Sequence, residues 1–292
     1  TPPFNQARIL ILIAHRVDAT FCDAAALWAV VAAVRAQAPL VHNITNFVVM
    51  NNSANALLAL GASPAMVHAL DEVEDFVPLA QALVVNIGTL YPEQVAAMKL
   101  AVAVAARAGV PWILDPVGAG ATPYRRRTAI TLSQRKPAVI RGNASEILAL
   151  ASVDGATGKG VDSLHGAEAA LQAARGLAIA TGAVVAVTGA VDYVTDGRQV
   201  VAIANGHALM ARVTGLGCSA TALMGACLAM ERDPLQAAVA GLVLLGVAGE
   251  VAAEQAAGPG SLQVALLDAL YRLDEATLMA RARVSVLKKT LD

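Results

Sequence analysis

The stretch ALVVNIGTLYPEQVAAMKLAVAVAARAGVPWIL, from Ala82 to Leu114, has the pattern of a strand–helix–strand unit. Its two ends, Ala82–Ile87 and Trp112–Leu114, are continuous apolar runs, as expected for strands buried on both faces of a parallel sheet. The segment between them, Pro92–Ala108, opens with a proline suited to the first turn of a helix. This unit predicts a parallel sheet covered by helices.

The same alternation continues on both sides of this unit. Further strands are predicted at Leu40–His42, Ala65–His68, Ala138–Ile140 and Val184–Val187. Two more apolar runs, Val191–Asp196 and Gln199–Ile203, are joined through an Asp-Gly pair, which is typical of a β-hairpin. Helices are predicted at Asp23–Gln37, Asn46–Leu60, Asp71–Leu79, Tyr124–Gln134, Ala144–Ala151, Ser163–Thr181, Gly217–Glu231, Pro234–Ala257 and Ser261–Leu273.

These elements predict one α/β domain over residues 1–292, with a mostly parallel central sheet and helices on both faces. No Pro/Ser-rich linker, charge block or short repeat divides the chain. Residues 1–17 match the strand–helix alternation of this domain least well. They carry the apolar run ILILIA, but Arg16, Asp18 and Asp23 follow without a small-residue cleavage site, so a secretory signal is a weak interpretation. We interpret this segment as an atypical extension or an additional strand.

Composition excludes several functional classes. With 57% hydrophobic and 15% charged residues, the chain has enough apolar surface for a large core and is not disordered. A net charge of -1 argues against a general nucleic-acid binder. The most apolar segment, Pro234–Gly249, is shorter than the roughly 18 residues of a membrane span, so a buried helix is predicted there. The three cysteines form no CxxC pair, which indicates reduced thiols in a cytoplasmic protein.

Polar residues or glycines follow nearly every predicted strand, and in parallel sheets such strand ends gather the active groups. The most informative segment is VTGLGCSA, residues 213–220. Gly215 and Gly217 open a predicted helix, whose first N–H groups would point at an anion such as a transferring phosphoryl group. The alternative interpretation is a tight turn that only caps the helix. Cys218 stands at the same helix start, where a thiol pKa is lowered, so it is a candidate base or a pocket-lining residue.

Two acidic residues are candidate magnesium ligands. Asp115 ends a strand before the glycine-rich PVGAG, although it also suits a simple turn before proline. Asn143 and Glu146 share the first turn of a predicted helix, where Glu146 is suited to a hydrated magnesium ion. The structural alternative is a capping box formed by the same two residues.

A polar cluster, His42 to Asn46, adjoins the first predicted strand. Asn46 is suited to bind a ring nitrogen or a hydroxyl, or else to cap the following helix. Met66 is suited to pack over a flat ring, although a lone Met usually belongs to the core. Together the motifs supply an anion cradle, magnesium ligands and a pocket for a small ring, which are the parts that phosphoryl transfer needs.

At this point the sequence resembles the hydroxyethylthiazole kinase family of the ribokinase-like superfamily. The resemblance rests on PLVHNITNFVVMNNSANALLALGASPAM (39–66), DPVGAGATPYR (115–125), IRGNASEI (140–147), GKGVDS (158–163) and VTGLGC (213–218), in the family's order. It implies a ribokinase-like fold and the ATP-dependent phosphorylation of 4-methyl-5-(2-hydroxyethyl)thiazole, with Mg²⁺, in thiamine salvage. It also implies a cytoplasmic homotrimer whose partners are the thiazole alcohol and ATP.

The resemblance assigns roles to individual residues. Met66 and Gly215 would contact the thiazole, with Asn46 nearby. Arg141 and Thr188 would contact ATP, Asp115 and Glu146 would organise magnesium and the phosphates, and Cys218 would hold the catalytic position.

One departure stands out, because the family usually has Thr where this chain has Leu216, and Leu offers no hydroxyl to phosphate. Three alternatives stay open: a kinase for another hydroxymethyl-bearing ring, a nicotinamide-hydrate dehydratase, and a non-catalytic nucleotide-binding relative. The dehydratase is expected to carry aspartate where this chain has Cys218.

Overall fold

The structure, a computed structural model, describes residues 22–152 and 163–287, and the side chains of this second stretch from residue 167 onward. In these residues the strands form a single sheet of nine. The strands are β1 (Leu40–Ile44), β2 (Ser63–Ala65), β3 (Ala82–Asn86), β4 (Trp112–Asp115), β5 (Val139–Asn143), β6 (Val184–Thr188), β7 (Asp192–Thr195), β8 (Val200–Ile203) and β9 (Val284–Leu287).

The strand order is β2-β1-β3-β4-β5-β6-β7-β8-β9. The first six strands in this order run parallel, whereas the β6–β7, β7–β8 and β8–β9 pairs are antiparallel. Strand β2 lies on one side of β1 and β3 on the other, so the order reverses at β1. In sheets of this kind ligands bind outside the carboxyl ends of the strands near such a reversal.

Helices cover both faces of the sheet. They are α1 (Ala24–Gln37), α2 (Met50–Leu60), α3 (Val73–Phe76), α4 (Pro92–Ala108), α5 (Pro123–Ser133), α6 (Ala144–Ala151), α7 (Ser163–Thr181), α8 (Leu216–Met230), α9 (Pro234–Ala253), α10 (Pro259–Arg272) and α11 (Glu275–Arg281). Successive residues of a strand point to opposite faces, and Ile113 accordingly packs in one core while Leu114 packs in the other. Helices α1, α2 and α8 to α11 build the first core, and α4 and α7 contribute to the second.

The predicted fold class is confirmed, with a mostly parallel sheet between two helical layers. The predicted hairpin is also present, as β7 and β8 pair antiparallel around Gly197, whose φ is 90°. The extension at residues 1–17 lies outside the described residues, as does the GKGVDS stretch except for Ser163.

Several predicted boundaries were wrong, including those of β2 and α2 and the end of α9, which lies at Ala253 instead of Ala257. Strand β2 covers Ser63–Ala65 instead of Ala65–His68 and includes Pro64, which is tolerated because β2 is an edge strand. The pairing with β1 ends at Ala65. Two residues later, the carbonyl of Val67 forms a hydrogen bond of 2.7 Å with the His42 imidazole. Helix α2 begins four residues later than predicted. The pattern also failed to predict α11 and β9, which are short elements near the end of the chain.

Helix α9 is long and apolar enough to cross a membrane by length and composition, but 83% of its most apolar window is buried inside the protein. It packs against α1, α8, α10, α11 and the sheet. The helix therefore lies in the core of the described structure, as its sequence predicted.

Candidate active site

The site is centred on the first turn of helix α8. Gly215 caps this helix with a φ of 80°, a left-handed conformation that favours glycine. The N–H groups of the next three residues, 216 to 218, have no partner inside the helix and carry its positive dipole end. A Cβ at Gly217 would lie 2.7 Å from Arg141 Nη1, so a side chain at this position would displace the guanidinium. The two glycines thus form an open anion cradle beside a cation.

Asp115 lies at the end of β4 and is completely buried. Its Oδ2 accepts hydrogen bonds from Asn86 Nδ2 and from Thr221 Oγ1, each at 2.8 Å. Its Oδ1 has no hydrogen-bond partner and lies 3.9 Å from Arg141 Nη1. Burial raises the pKa of the carboxyl to about 6, Arg141 opposes the rise and Glu146 adds to it. The simple turn interpretation does not account for these contacts.

Asn46 connects the β1 end to the α8 start. Its Nδ2 donates to Asn86 Oδ1 at 2.8 Å and approaches Cys218 Sγ at 3.6 Å. Its Oδ1 accepts from Val48 N at 3.1 Å and thereby fixes the turn before α2. Val49, not Asn46, precedes the first residue of α2, so the helix-capping alternative was wrong. This side chain faces the same space as Cys218.

Cys218 is half-buried on the first turn of α8. Burial raises the pKa of its thiol to about 11, and the charge of Asp115 adds to the rise, while Asn86, Arg141 and Asn46 counteract it. This is opposite to the lowered pKa that its helix position suggested. The thiol is therefore protonated near neutral pH and lines the pocket as a neutral group.

Arg141 joins the strand ends of β5 and β6 to the cradle. Its Nη2 donates to Thr188 Oγ1 at 2.6 Å, which brings the two predicted ATP contacts together. Asp192 lies across the next turn, where it accepts from Gly189 N at 2.9 Å. Burial raises the pKa of Asp192 to about 6, although the Gly189 bond and Arg141 oppose this.

Asn143 and Glu146 form the capping box that was the structural alternative. Asn143 N donates to Glu146 Oε2 at 2.8 Å, and Glu146 N donates to Asn143 Oδ1 at 3.0 Å. In addition, Glu146 Oε1 accepts from Gly118 N at 2.9 Å. The carboxylate therefore also fixes the glycine-rich loop that follows Asp115.

Leu216 faces away from the site. It packs against the core and lines a small cleft with Ala56, Ser219 and Leu266, between α2, α8 and α10. Ser219, one turn later, shares this face, whereas Cys218 and Thr221 share the face toward Asp115. The Leu216 side chain therefore takes no part in the cradle, which the backbone N–H groups form.

Met66 is the predicted residue that the contacts connect least to the others. It directly follows β2, one strand outward from β1, and it is half-buried. Among the described contacts, none joins it to Cys218.

The sequence interpretation missed three residues of the site. Thr221 donates to Asp115, Asp192 interacts with the charge of Arg141, and Arg125 donates to backbone carbonyls in the loops after β3 and β4. Thr221 was detectable in principle, since it stands three residues after Cys218 on the predicted helix.

The described residues contain no group of three or more His, Cys, Asp or Glu side chains able to cage a metal. A carboxylate with one unpartnered buried oxygen, Asp115, and the nearby Glu146 still suit magnesium. This ion usually takes one or two carboxylates and keeps waters and substrate phosphates as its other ligands.

An anion cradle, a buried carboxylate and a guanidinium meet at the carboxyl edge of the parallel sheet, as phosphoryl transfer requires, and this arrangement indicates a small-molecule kinase of the ribokinase-like class. The pyridoxal kinase from Staphylococcus aureus in complex with AMP-PCP and pyridoxal has the same fold, with a TM-score of 0.60 and 16% identity over 85% of this chain and 98% of that chain. The sequence model of the Hydroxyethylthiazole kinase family matches residues 31–276. The chain belongs to the hydroxyethylthiazole kinase family.

Two relatives show how similar this chain is to other members of the family. A hydroxyethylthiazole kinase of Granulibacter bethesdensis is 60% identical over 250 residues, covering 86% of this chain and 91% of its own length. The structure of a hydroxyethylthiazole kinase protein from Pyrococcus horikoshii matches with a TM-score of 0.84 and 45% identity, over 90% of this chain and all of that chain. The predicted family is confirmed.

Proposed function

We propose that this chain transfers the γ-phosphoryl group of ATP to the hydroxyl of 4-methyl-5-(2-hydroxyethyl)thiazole, in thiamine salvage. The observation that carries the proposal is the meeting of Asn46, Asp115, Arg141 and Cys218 at the first turn of α8. Family membership indicates the substrate, because the relatives at 60% and 45% identity are named as hydroxyethylthiazole kinases.

Each group has a physical task in the proposed reaction. The free N–H groups of residues 216 to 218 stabilise the charge that develops on the phosphoryl oxygens. Arg141 and Thr188 hold the nucleotide phosphates beside the cradle. Asn46 and the neutral Cys218 position the acceptor alcohol, and Met66 and Gly215 complete the thiazole pocket. Positioning and charge neutralisation are the main requirements of phosphoryl transfer.

Asp115 and Glu146 would organise magnesium. When bound, the ion would supply positive charge that neutralises the phosphate groups of the nucleotide. The unpartnered Oδ1 of Asp115 suits a direct ligand, whereas both oxygens of Glu146 already accept backbone N–H groups, so Glu146 suits contact through water.

The variant Glu146→Gln tests this role, because its one amide oxygen can still accept the capping-box bond from Asn143 N, while its NH2 group cannot accept the bond from Gly118 N. We expect Mg²⁺-dependent turnover to fall on the order of 100-fold while thiazole binding, measured by calorimetry, changes little. Equal loss of both in a folded variant would contradict the metal role. Circular dichroism confirms folding.

The quaternary state and the location are also proposed. Phe47 and Val48 are 54% and 63% exposed next to Asn46, and exposed apolar patches usually mark contact surfaces. They suit the homotrimer with sites between subunits that the family resemblance implied. Light scattering should give three times the 29.7 kDa chain mass, and a monomer mass would contradict the trimer.

The free thiols suit the cytoplasm, which cell fractionation tests.

The decisive experiment is ADP release on a panel of hydroxyalkyl heterocycles, with phosphorylated products identified by mass spectrometry. The proposal expects the thiazole alcohol to give the highest kcat/KM. A preference for pyridoxal or the pyrimidine alcohol would indicate a kinase of another ring. Turnover only with hydrated nicotinamide dinucleotides would indicate the dehydratase. Binding without turnover would leave a non-catalytic relative.

A further inference from the structure

Arg125 occupies a position that local helix preferences do not explain. It is the third residue of α5, after Thr122, whose Oγ1 accepts from Arg125 N. Helix N-termini favour negative rather than positive side chains, because the first N–H groups carry positive partial charge. A residue that opposes a local rule without compensation inside its own element usually serves something outside it.

The guanidinium finds its partners in two loops of the site. Arg125 Nη1 donates to Ile87 O at 2.8 Å and to Val117 O at 2.9 Å, and Nη2 donates to Gly88 O at 2.7 Å. Ile87 and Gly88 follow strand β3, and Val117 follows strand β4. The planar fork of an arginine can hold carbonyls from separate segments in one geometry, which the point charge of a lysine cannot do.

The first of these loops, after β3, contacts the part of the site that is proposed to bind the alcohol substrate. A Cβ at Gly88 would lie 2.5 Å from Asn46 Nδ2, so the loop backbone packs directly on the Asn46 side chain. Asn86 Oδ1 accepts from Gly88 N at 3.0 Å and from Asn46 Nδ2. A displaced Gly88 would therefore move Asn46, which contacts Cys218.

The second loop carries the side of the site proposed for magnesium. Val117 lies two residues after Asp115, and the next residue, Gly118, donates its N–H to Glu146 Oε1. The Arg125 bond to Val117 therefore holds the segment between the two carboxylates. The same guanidinium spans both loops, so it fixes the acceptor side relative to the carboxylates.

We propose that Arg125 is a positioning residue for phosphoryl transfer, which clamps the β3–α4 and β4–α5 loops so that Asn46 and Asp115 face each other in one geometry. The inference rests on the proposed function for its kinetic consequences, but the clamp itself does not. Misplacement of reacting groups by about 1 Å can cost on the order of 100-fold in rate.

The variants are Arg125→Lys and Arg125→Ala, and the matched controls are Arg126→Lys and Arg126→Ala. Arg126 is the next residue of the same helix and also donates to backbone carbonyls, of Ala149 and Ser152 in and after α6, outside both loops. Both arginines are half-buried.

Hydrogen–deuterium exchange of residues 86–90 and 116–121 gives the first readout and needs no turnover. We expect faster exchange in both loops for Arg125→Lys and Arg125→Ala, and no change there for the Arg126 variants. Kinetics give the second readout. We expect kcat of Arg125→Ala to fall on the order of 100-fold, with thiazole KM within about threefold and the half-saturating Mg²⁺ concentration raised. Added guanidinium ion should restore part of the rate.

Unchanged exchange in both loops of a folded Arg125→Lys would overturn the clamp. Equal losses of kcat in Arg125→Ala and Arg126→Ala, both in proportion to the folded fraction, would reduce Arg125 to a stability role and overturn the proposal as well. If the wild-type protein releases no ADP with the thiazole alcohol, the proposed function is wrong, and the exchange arm still decides the clamp.

Discussion

At the scale of single residues, Cys218 shows how surroundings override position. It stands on a helix N-terminus, which favours the thiolate, yet it is half-buried, and Thr221, three residues further along the helix, donates to the buried carboxylate of Asp115. Desolvation of the charged form is the larger effect, so the pKa rises to about 11. A base with this pKa is almost fully protonated at neutral pH, which supports a positional role.

Alkylation tests this assignment. A thiol pKa of about 11 instead of the ordinary 9.0 lowers the thiolate fraction at pH 8 about 100-fold. We expect iodoacetamide to modify Cys218 on the order of 100 times more slowly than a free cysteine, with the rate still rising above pH 10. Peptide mass spectrometry measures the rate. Rapid modification at pH 7 would restore Cys218 as a candidate base.

Leu216 gives a second test at this scale, because its side chain packs away from the cradle. We expect Leu216→Thr to keep kcat/KM within about threefold and to lower the free energy of unfolding by about 1 kcal/mol, as partly buried apolar surface is lost. Steady-state kinetics and urea unfolding measure both. A tenfold gain in kcat would show instead that a hydroxyl here reaches phosphate. The volume-conserving Leu216→Met serves as the control for packing.

At the scale of elements, helix α8 approaches the sheet closely because of glycine. A Cβ at Gly225 would lie 2.7 Å from Val84 Cγ2 and 3.1 Å from Val41 Cγ1. Valine side chains have little rotamer freedom to yield. The close approach keeps the first turn of α8 at the strand ends, so packing in the middle of the helix supports the site at its start.

Gly225→Ala should therefore lower the free energy of unfolding by about 1–2 kcal/mol, since overpacking outweighs the better helix propensity of alanine. Gly176→Ala is the matched control. Gly176 lies in α7 with nothing within 4 Å of the added Cβ, so this change should stabilise by about 0.5–1 kcal/mol. Urea unfolding at one protein concentration compares them. A neutral Gly225→Ala would show that α8 can shift at little cost.

At the scale of the whole molecule, Glu250 of α9 ties the last strand to the sheet. Its Oε1 accepts from Asn205 Nδ2 at 3.0 Å, Gly206 N at 2.8 Å and Arg283 Nη2 at 2.5 Å. Arg283 immediately precedes β9, so this carboxylate joins residues far apart in sequence. Burial alone would raise the pKa of Glu250, but the hydrogen bonds from Arg283, Gly206 and Asn205 hold it below its ordinary value.

A lowered pKa in the folded state means that the ionised Glu250 stabilises the fold above its ordinary pKa of 4.5, and that this contribution is lost as the pH falls through the folded pKa. Glu250→Gln should therefore lower Tm at pH 7 by a few degrees, corresponding to about 1 kcal/mol after solvent screening. Below about pH 4 the difference from wild type should shrink. Calorimetry measures both, and a difference that grows in acid would contradict the network.

The sequence by itself determined the fold class, because buried strands and amphipathic helices alternate with periods that local residues set. It also determined the start of the cradle, since the left-handed backbone of residue 215 favours glycine. The family motifs indicated the substrate. All of these depend on residues close together in the chain.

Only the tertiary structure decided what depends on distant residues. The pKa of Cys218 reverses because Asp115 and burial act across space, and Glu146 proves to be a capping residue that also holds Gly118. The tertiary structure also decided which way the Leu216 side chain points, and it brought the Arg125 guanidinium into contact with two separate loops. Burial, electrostatic interaction and hydrogen bonds across the sheet depend on distance in space, which a linear pattern does not contain.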